Sequence, residues 1–222
     1  MNRRNKCPVC TSERTFLFLN RSNVPVHQNL VIKDQVAAVN IARGDLTFVC
    51  CDEGGFVFNS AFDPSKLSYG AAYENTQTCS PYFKDYVGAM VRYLVYEKGV
   101  RNCRVVEVGC GKGYFLRRLV DEDAGNTGYG FDPAYTGPET DLARRLKFER
   151  RFYGPDRVDI PADVVVCRHV IEHVPEPVAL LRSIRQALGT RQNARVFFET
   201  PCVEWILRNQ VIWDFFYEHC SL

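Results

Sequence analysis

The feature that most constrains this chain is an alternation of short apolar runs and helical patterns that begins near residue 103. Apolar, β-branched runs predict strands at 104–108, 128–131, 147–151, 163–167 and 195–199. Helical patterns lie between them at 114–121, 141–145 and 177–188. Such alternation predicts an α/β fold, with a parallel sheet and helices on both faces. Ligands of these sheets bind beyond the carboxyl ends of the strands, so the loops after these ends are expected to form one site.

The first predicted strand runs directly into a glycine-rich loop, in the segment VVEVGCGKGY. A dinucleotide-binding G-x-G-x-x-G loop is excluded because Tyr114 stands at the third glycine position. A phosphate-binding P-loop is excluded because Gly113, not a hydroxyl residue, follows Lys112. The remaining pattern, E-x-G-x-G-x-G, permits a tight turn and close approach of a ligand to a helix N-terminus. Glu107, two residues before the first glycine, suits a ligand with a cationic end.

The second predicted strand ends at Phe131 and is followed by Asp132. An acid about twenty residues past such glycines is placed to accept both hydroxyls of a ribose. A ribose joined to a positively charged amino acid is S-adenosylmethionine (SAM), which is the predicted cofactor. The alternative is an ordinary strand-to-helix turn in which Asp132 only caps the backbone.

Three segments resemble class I SAM-dependent methyltransferases: VVEVGCGKGYF their first motif, GFDP their second-strand acid, and ADVVVCRHVIEHVPEP their fourth strand and following loop. The resemblance is closer to sugar C-methyltransferases with an N-terminal zinc-binding module, through CPVC, GFVFNSAFDPSKLSYGAAYENTQTCSPYF and WDFFYEHCS. Those enzymes methylate a ring carbon beside a ketone in nucleotide-linked keto-deoxysugars. The resemblance covers nearly the whole chain. It implies a Rossmann-like methyltransferase sheet preceded by a small β-rich module of the zinc-binding type.

The expected SAM-binding residues lie in the glycine loop and in the loops that follow the later strands. They are Glu107, Gly109, Cys110, Gly111, Gly113, Asp132, Arg168 and His169.

The resemblance also implies a set of acceptor-site residues. Tyr73 and His173 match a tyrosine and a histidine near the acceptor, and Tyr73 would donate to the enolate oxygen. Glu218 and His219 match an adjacent acid and histidine, although Phe216 stands where the family has a tyrosine. A neutral imidazole suits removal of a proton beside a ketone, so His219 is the predicted base and His173 the next candidate. If the segment is extended, Glu218 is expected to point away from His219 and to act on the sugar or on Tyr73. The alternative is that this aromatic run is core packing with a frayed His219.

The segment HVIEH, residues 169–173, also fits the H-x-x-E-H zinc pattern of inverted metallopeptidases. That pattern needs both histidines on successive turns of a settled helix. Pro175 and Pro177 follow almost immediately, so the segment is interpreted as a post-strand loop.

Cys7 and Cys10 are spaced as half of a zinc knuckle. In the family that the chain resembles, a second C-x-x-C pair stands at the place of Cys51 and Gly54, so the fourth cysteine is replaced by glycine. The predicted ligands of a structural zinc ion are Cys7, Cys10 and Cys51. Cys50, His27, Asp52 and Glu53 are other candidates, and the alternative is a metal-free module with buried thiols.

Composition limits which partners and which cellular compartment are expected for this chain. The net charge of +2 gives no reason to expect nucleic acid, and no apolar run is long enough to span a membrane. Ten cysteines, several of them in strand-like runs, together with an N-terminus that lacks an apolar signal region, favour a reduced cytoplasmic protein. The predicted domains are a β-rich module over 1–65, a connecting helical segment over 66–102 with a helix over 79–99, and a SAM-binding core over 103–222.

Only five strands are predicted, whereas a class I methyltransferase sheet has seven, so the chain resembles a C-terminally shortened member. Val196, Phe197 and Phe198 would then lie on an open sheet edge, which predicts self-association through the last strand.

The expected activity is C-methylation of a nucleotide-linked keto-sugar. The alternatives are an O- or N-methyltransferase acting on another small molecule, and a degenerate module that binds SAM or a partner without catalysis.

Overall fold

A computed structural model describes residues 6–67 and 76–222. The described residues form two compact units. One contains the residues up to 67 together with 169–181 and 200–222, and the other contains those from 76 to 168 together with 182–199. The domain boundaries predicted at 65 and 102 are not tested by this grouping and remain predictions.

The elements are named in chain order. The strands are β1 (Thr15–Pro25), β2 (Arg43–Cys51), β3 (Val57–Asn59), β4 (Arg104–Val108), β5 (Thr127–Phe131), β6 (Thr140–Asp141), β7 (Leu146–Glu149), β8 (Val164–Arg168) and β9 (Arg195–Glu199). The α-helices are α1 (Gln35–Val39), α2 (Pro81–Arg92), α3 (Tyr114–Asp121), α4 (Pro177–Ala187) and α5 (Val203–Arg208). Among the described residues, no helix has both the length and the apolar character needed to cross a membrane.

The larger sheet confirms the five predicted strands. Its order is β6-β7-β5-β4-β8-β9, and every neighbouring pair is parallel except β6 with β7. The chain runs outward from β4 to β5 and β7 on one side and to β8 and β9 on the other. The strand order therefore reverses between β4 and β8, and sheets of this kind bind ligands at the carboxyl ends of the strands at that point.

The centre of this sheet is buried because its strands are apolar on both faces. Val105 and Val106 of β4 and Val164 and Val165 of β8 are fully buried. Such near-continuous valine runs are typical of parallel strands that are covered on both sides. Each buried valine stabilises the fold by about 1.5–3 kcal/mol, which anchors the strand ends that carry the site.

The helix predicted over 79–99 is present as α2, extended by a π-helical turn at Tyr93–Glu97. Ser80, followed by Pro81 in the first turn, is the helix cap that the sequence predicts. This cap is confirmed, since the Ser80 hydroxyl oxygen accepts a hydrogen bond from the Phe83 N–H at 3.2 Å.

The sequence predicts that one face of this helix, formed by Tyr82, Tyr86, Met90, Leu94 and Val95, is buried. Leu94 and Val95 are buried as predicted, but Tyr82 and Tyr86 are 84% and 42% exposed. Val87 and Val91 are fully buried in their place, since these compact side chains pack in the core of this unit.

The short helix predicted over 141–145 is wrong. Residues 140–141 form the edge strand β6, and Leu142, Ala143 and Arg144 have φ angles of 48°, 54° and 70°, which exclude an α-helix. The Asp141 carboxylate accepts hydrogen bonds from the Leu142 N–H at 2.7 Å and from Arg117 Nε at 2.6 Å. These bonds hold the turn by giving the backbone a local partner in place of a helical one.

The other unit contains the antiparallel sheet β1-β2-β3, which confirms a β-rich N-terminal region. The C-terminal segment lies in the same unit, where Ser221 forms a bridge with Phe58 and the Leu222 N–H donates to the Val57 carbonyl at 3.0 Å. Tyr217 is fully buried, and a Cβ added at Gly44 would lie 2.2 Å from its ring, so glycine permits this contact. The core-packing alternative is confirmed for Phe215 and Tyr217, whereas His219 is 5% exposed and is not frayed.

Candidate functional site

The glycine loop lies between β4 and α3, and its conformation explains its sequence. Gly109, Gly111 and Gly113 have φ angles of 70°, 54° and 75°, a region that side chains with a Cβ rarely occupy. At Gly113 a Cβ would also lie 2.6 Å from the Phe148 ring. The three glycines therefore let the backbone turn sharply at the carboxyl end of β4 and enter α3 at Tyr114.

Glu107 is a buried carboxyl group beside this loop. The residue is 3% exposed, and within the described residues its Oε2 atom has no hydrogen-bond partner. Burial raises the pKa of Glu107 to about 8, although the nearby Arg168 charge acts in the opposite direction. Leaving a buried acceptor unpaired costs about 1–3 kcal/mol, so the site is suited to a ligand that brings a cationic donor.

Asp132 follows β5 and holds the glycine loop. Its Oδ2 accepts from the Gly111 N–H and its Oδ1 from the Ala134 N–H, both at 2.8 Å. Burial raises the pKa of Asp132. Each carboxylate oxygen has a second lone pair, so the backbone role leaves both oxygens able to accept ribose hydroxyls. Asp132 is therefore a turn-capping residue that also fits the predicted ribose site.

The sequence reasoning missed two residues near the carboxyl ends of these strands, Tyr86 and Glu199. Arg168 Nε donates to one oxygen of Glu199, and the Tyr86 hydroxyl donates to the other. Burial, followed by the Glu199 contact, raises the pKa of Tyr86 to about 12. The Arg168 guanidinium lies 4.1 Å over the Phe115 ring, and its Nη2 has no hydrogen-bond partner within the described part of the chain. The signal available in the sequence was the acid that ends β9.

Cys110, also predicted to bind SAM, is buried within the glycine loop. Its thiol lies 3.8 Å from the Gly111 carbonyl oxygen, and burial raises its pKa. This thiol is therefore neutral at pH 7, and in the structure it serves as an apolar packing group.

The predicted cysteine cluster is present in the unit that contains β1–β3. The sulfur atoms of Cys7, Cys10 and Cys51 lie within 4.8 Å of one another, with 3.5 Å between Cys10 and Cys51. The hydrogen bond from the Gly54 N–H is the main cause of the lowered pKa of Cys51. A Cβ added at Gly54 would meet no atom within 4 Å. Three converging thiols fit a thiophilic metal ion such as zinc.

Two histidines lie together in the same unit. His173 Nδ1 is 2.9 Å from the Glu218 carbonyl oxygen, and His219 Nδ1 is 3.0 Å from the Asp214 carbonyl oxygen. The ring centroids are 5.0 Å apart in an edge-to-face arrangement. Because a carbonyl only accepts, both Nδ1 atoms carry the proton, and in a neutral ring the lone pair then lies on Nε2. Burial, followed by the nearby His173, lowers the pKa of His219 to about 3.

Glu218 points away from His219, as expected. It is fully buried, and its Oε1 lies 3.3 Å from both His27 Nδ1 and the Gln28 N–H. His27, a candidate zinc ligand in the sequence, is thus a partner of Glu218, which the sequence reasoning missed. Tyr73, the predicted donor to the enolate oxygen, lies outside the described residues.

The HVIEH segment is a loop, as predicted. After β8 it forms only a 3-10 turn, Ile171–His173. His169 has a half-exposed side chain, and its Nδ1 lies 3.3 Å from an oxygen of the buried Glu172. The role of His169 toward SAM remains a prediction. Glu172 was not among the predicted site residues.

The sequence of this chain is similar to that of known methyltransferases. A family model described as a methyltransferase domain matches residues 70–222. Ubiquinone biosynthesis O-methyltransferases of Yersinia pestis and Yersinia pseudotuberculosis are 31% identical over 124 residues, which is 52% of this chain and 47% of theirs. The chain therefore spans about half the length of the curated relatives it matches.

Solved structures give weaker similarity. The N,N-8-amino-8-demethyl-D-riboflavin dimethyltransferase of Streptomyces davawensis is 22% identical, with 65% of this chain and 50% of that chain covered and a TM-score of 0.42. A methyltransferase of calicheamicin biosynthesis, solved with S-adenosylhomocysteine, is 22% identical, with 52% and 36% covered and a TM-score of 0.41.

Proposed function

The chain belongs to the family defined by this methyltransferase domain, and from that premise we propose that it transfers the methyl group of SAM to a small-molecule acceptor. The observation that carries the proposal is the buried Oε2 of Glu107, which has no hydrogen-bond partner among the described residues. It lies beside three left-handed glycines at the strand-order reversal. Glu107 would hold the ammonium of the amino acid end, and Asp132 would accept the ribose hydroxyls. SAM, when bound, supplies the electrophilic methyl group.

For the acceptor we propose a carbon beside a ketone in a nucleotide-linked keto-deoxysugar, with His219 as the base. The support is the resemblance of WDFFYEHCS to sugar C-methyltransferases, together with a neutral imidazole oriented by the Asp214 carbonyl. The proton would pass from the carbon to Nε2 of His219. Burial makes this imidazole a weak base, so the enolate oxygen must also be stabilised, and Tyr73 is proposed for that role.

An oxygen acceptor is the second candidate function. It is favoured by the similarity to ubiquinone biosynthesis O-methyltransferases, which extends over half of this chain. A hydroxyl is more acidic than a carbon beside a ketone, so such a reaction would need only a weak base near the acceptor.

The cofactor proposal is tested by calorimetric titration of SAM. Asp132→Ala should weaken SAM binding by about 1.5–3 kcal/mol, because the carboxylate holds both the ribose and the Gly111 N–H. Asp121→Ala, which removes a largely exposed carboxylate of α3, is the matched control and should bind normally. Unchanged binding in Asp132→Ala would exclude Asp132 from the site.

The acceptor proposal is tested by following S-adenosylhomocysteine production with nucleotide-linked keto-sugars and, separately, with phenolic acceptors. His219→Ala should abolish turnover of the keto-sugar and leave SAM affinity within about twofold, because a base acts only in the transition state. Normal turnover in this variant would show that the base is elsewhere, with His173 the next candidate. SAM binding without turnover of any acceptor would indicate the degenerate, non-catalytic module.

We also propose that Cys7, Cys10 and Cys51 hold a structural zinc ion, on the convergence of their sulfur atoms. Purified protein should then contain close to one equivalent of zinc. A content below about a tenth of an equivalent would contradict full occupancy of a structural site.

The cysteine usage of the sequence further supports a reducing, cytoplasmic setting as a proposal.

A further inference from the structure

Glu172, His173 and His219 form a second cluster of ligand-type side chains, in the same unit as the cysteines. One nitrogen or oxygen atom from each lies within 4.8 Å of the other two. Glu172 is 1% exposed and His219 is 5% exposed, so two of the three are buried. We propose that these three residues bind a divalent transition-metal ion, at a site separate from the cysteine cluster. This inference does not rest on the proposed acceptor.

The proposed site differs from the one that the sequence pattern suggests. The H-x-x-E-H pattern would use His169 and His173 as ligands, with Glu172 as a catalytic base. In the structure the segment is not a helix, and the half-exposed His169 instead contacts Glu172. His219 comes from the C-terminal segment, so only the tertiary structure brings it to Glu172 and His173.

The two imidazoles are arranged as metal ligands usually are. Their Nδ1 protons are directed to the backbone carbonyls of Glu218 and Asp214, at 2.9 and 3.0 Å. Such contacts fix the tautomer and the orientation of a ligating histidine, so that Nε2 carries the lone pair.

The carboxylate is likewise oriented by neighbours. One oxygen of Glu172 lies 3.3 Å from His169 Nδ1, and the other accepts from the Thr200 hydroxyl at 3.3 Å. An ionised, buried carboxylate is costly unless it is compensated by positive charge, which a divalent ion would supply.

The donor set indicates the class of metal. Two imidazole nitrogens and one carboxylate oxygen suit zinc, iron(II), cobalt(II) and manganese(II), whereas magnesium and calcium prefer oxygen ligands. Zinc–nitrogen bonds of about 2.0–2.1 Å would place the ligand atoms roughly 3–3.5 Å apart, so small side-chain rotations would close the cluster. Three protein ligands leave a position for water or for an oxygen of a bound molecule. A metal at Nε2 of His219 would occupy the lone pair that the proposed base needs, so the metal site and the base are alternatives for His219. A second equivalent of cobalt that is lost in His219→Ala would decide for the metal site and against His219 as the base.

Cobalt(II) alone is the probe, added to the metal-free full chain. Cobalt held by thiolates gives intense near-ultraviolet charge-transfer absorption, whereas cobalt held by two imidazoles and a carboxylate gives only weak visible bands. The two sites can therefore be followed separately in the wild-type protein. We expect the protein to bind a second equivalent of cobalt(II) that shows the weak visible bands, and we expect added zinc to displace it.

Four variants decide the assignment. His219→Ala and Glu172→Gln should each raise the dissociation constant of the second equivalent at least about tenfold and leave the thiolate bands unchanged. His169→Ala should retain both sites, and Cys51→Ser should lose only the thiolate bands. Glu172→Gln preserves the side-chain shape, and unchanged thiolate bands show that this unit is folded. The proposal would be overturned if the wild-type protein bound no second equivalent of cobalt. It would also be overturned if the second equivalent persisted in both His219→Ala and Glu172→Gln, or were lost only in His169→Ala.

Discussion

At the scale of the residue, Glu107 shows how burial prepares a carboxyl group for the cationic ligand that is proposed to bind there. The carboxyl group has a pKa of about 8, so it is mostly protonated at pH 7 before a ligand arrives. A cationic ligand would favour the ionised form, and binding would then release the proton. Each pH unit below the pKa adds about 1.4 kcal/mol to the cost of ionisation.

This linkage predicts that SAM binds more tightly as the pH rises from 6 to 8, by up to about tenfold per pH unit relative to Glu107→Gln. The comparison with Glu107→Gln removes the contribution of the ligand's own amino group. Calorimetry in two buffers of different ionisation enthalpy should show about one more proton released by the wild-type protein than by the variant at pH 7. An identical pH dependence in both proteins would show that Glu107 does not pair with the ligand.

At the scale of the element, the turn that follows β2 sets how many thiols can converge at the cysteine cluster. Cys51 ends β2, and the N–H of Gly54 in the following turn donates to its sulfur. In the resembled family a fourth cysteine stands where Gly54 is found. Because a Cβ at this position would meet no atom within 4 Å, the turn has room for a larger residue.

Gly54→Cys is therefore expected to tighten zinc binding, by roughly tenfold or more, because a fourth thiolate completes a tetrahedral site. The measurement is competition for zinc against a chromophoric chelator of known affinity. Gly55→Cys is the matched control, since Gly55 has a φ angle of 68° and a side chain there is strained. Equal affinity in the wild-type protein and Gly54→Cys would mean that position 54 does not face the metal.

At the scale of the whole molecule, β9 is an edge strand of the larger sheet that the described residues form, as the sequence predicted. Phe197 packs against the hydrophobic core of its unit, whereas Val196 and Phe198 are 39% and 38% exposed. The alternation follows from the two-residue period of a strand. An edge strand with exposed apolar side chains and unpaired backbone groups favours pairing with a second chain.

Self-association through β9 is accordingly predicted for this chain. The weight-average mass in sedimentation should rise with protein concentration, and the double variant Val196→Lys with Phe198→Lys should remain monomeric, because edge charges oppose strand pairing. Tyr82→Lys, at a strongly exposed position of α2, is the control and should associate like the wild type. A wild-type protein that stays monomeric at high concentration would contradict the prediction.

Local sequence was sufficient for the elements whose determinants are close together in the chain. The valine runs of β4 and β8, the Ser80 cap of α2 and the glycine loop each depend on neighbouring residues, and all were predicted correctly. The failure at 141–145 came from a longer-range contact. Arg117 holds Asp141 in a turn, and nothing in the local pattern of 141–145 shows it.

The sequence by itself determined the parallel sheet, the glycine loop with its acid, and the cysteine pair, because periodicity and spacing encode them locally. Only the tertiary structure decided that one oxygen of Glu107 has no partner in the described part of the chain, that Glu218 faces His27, and that His219 joins Glu172 and His173. The physical reason is that burial and side-chain pairing depend on which distant segments pack together. Desolvation then sets the protonation of Glu107 and His219, which no local pattern specifies.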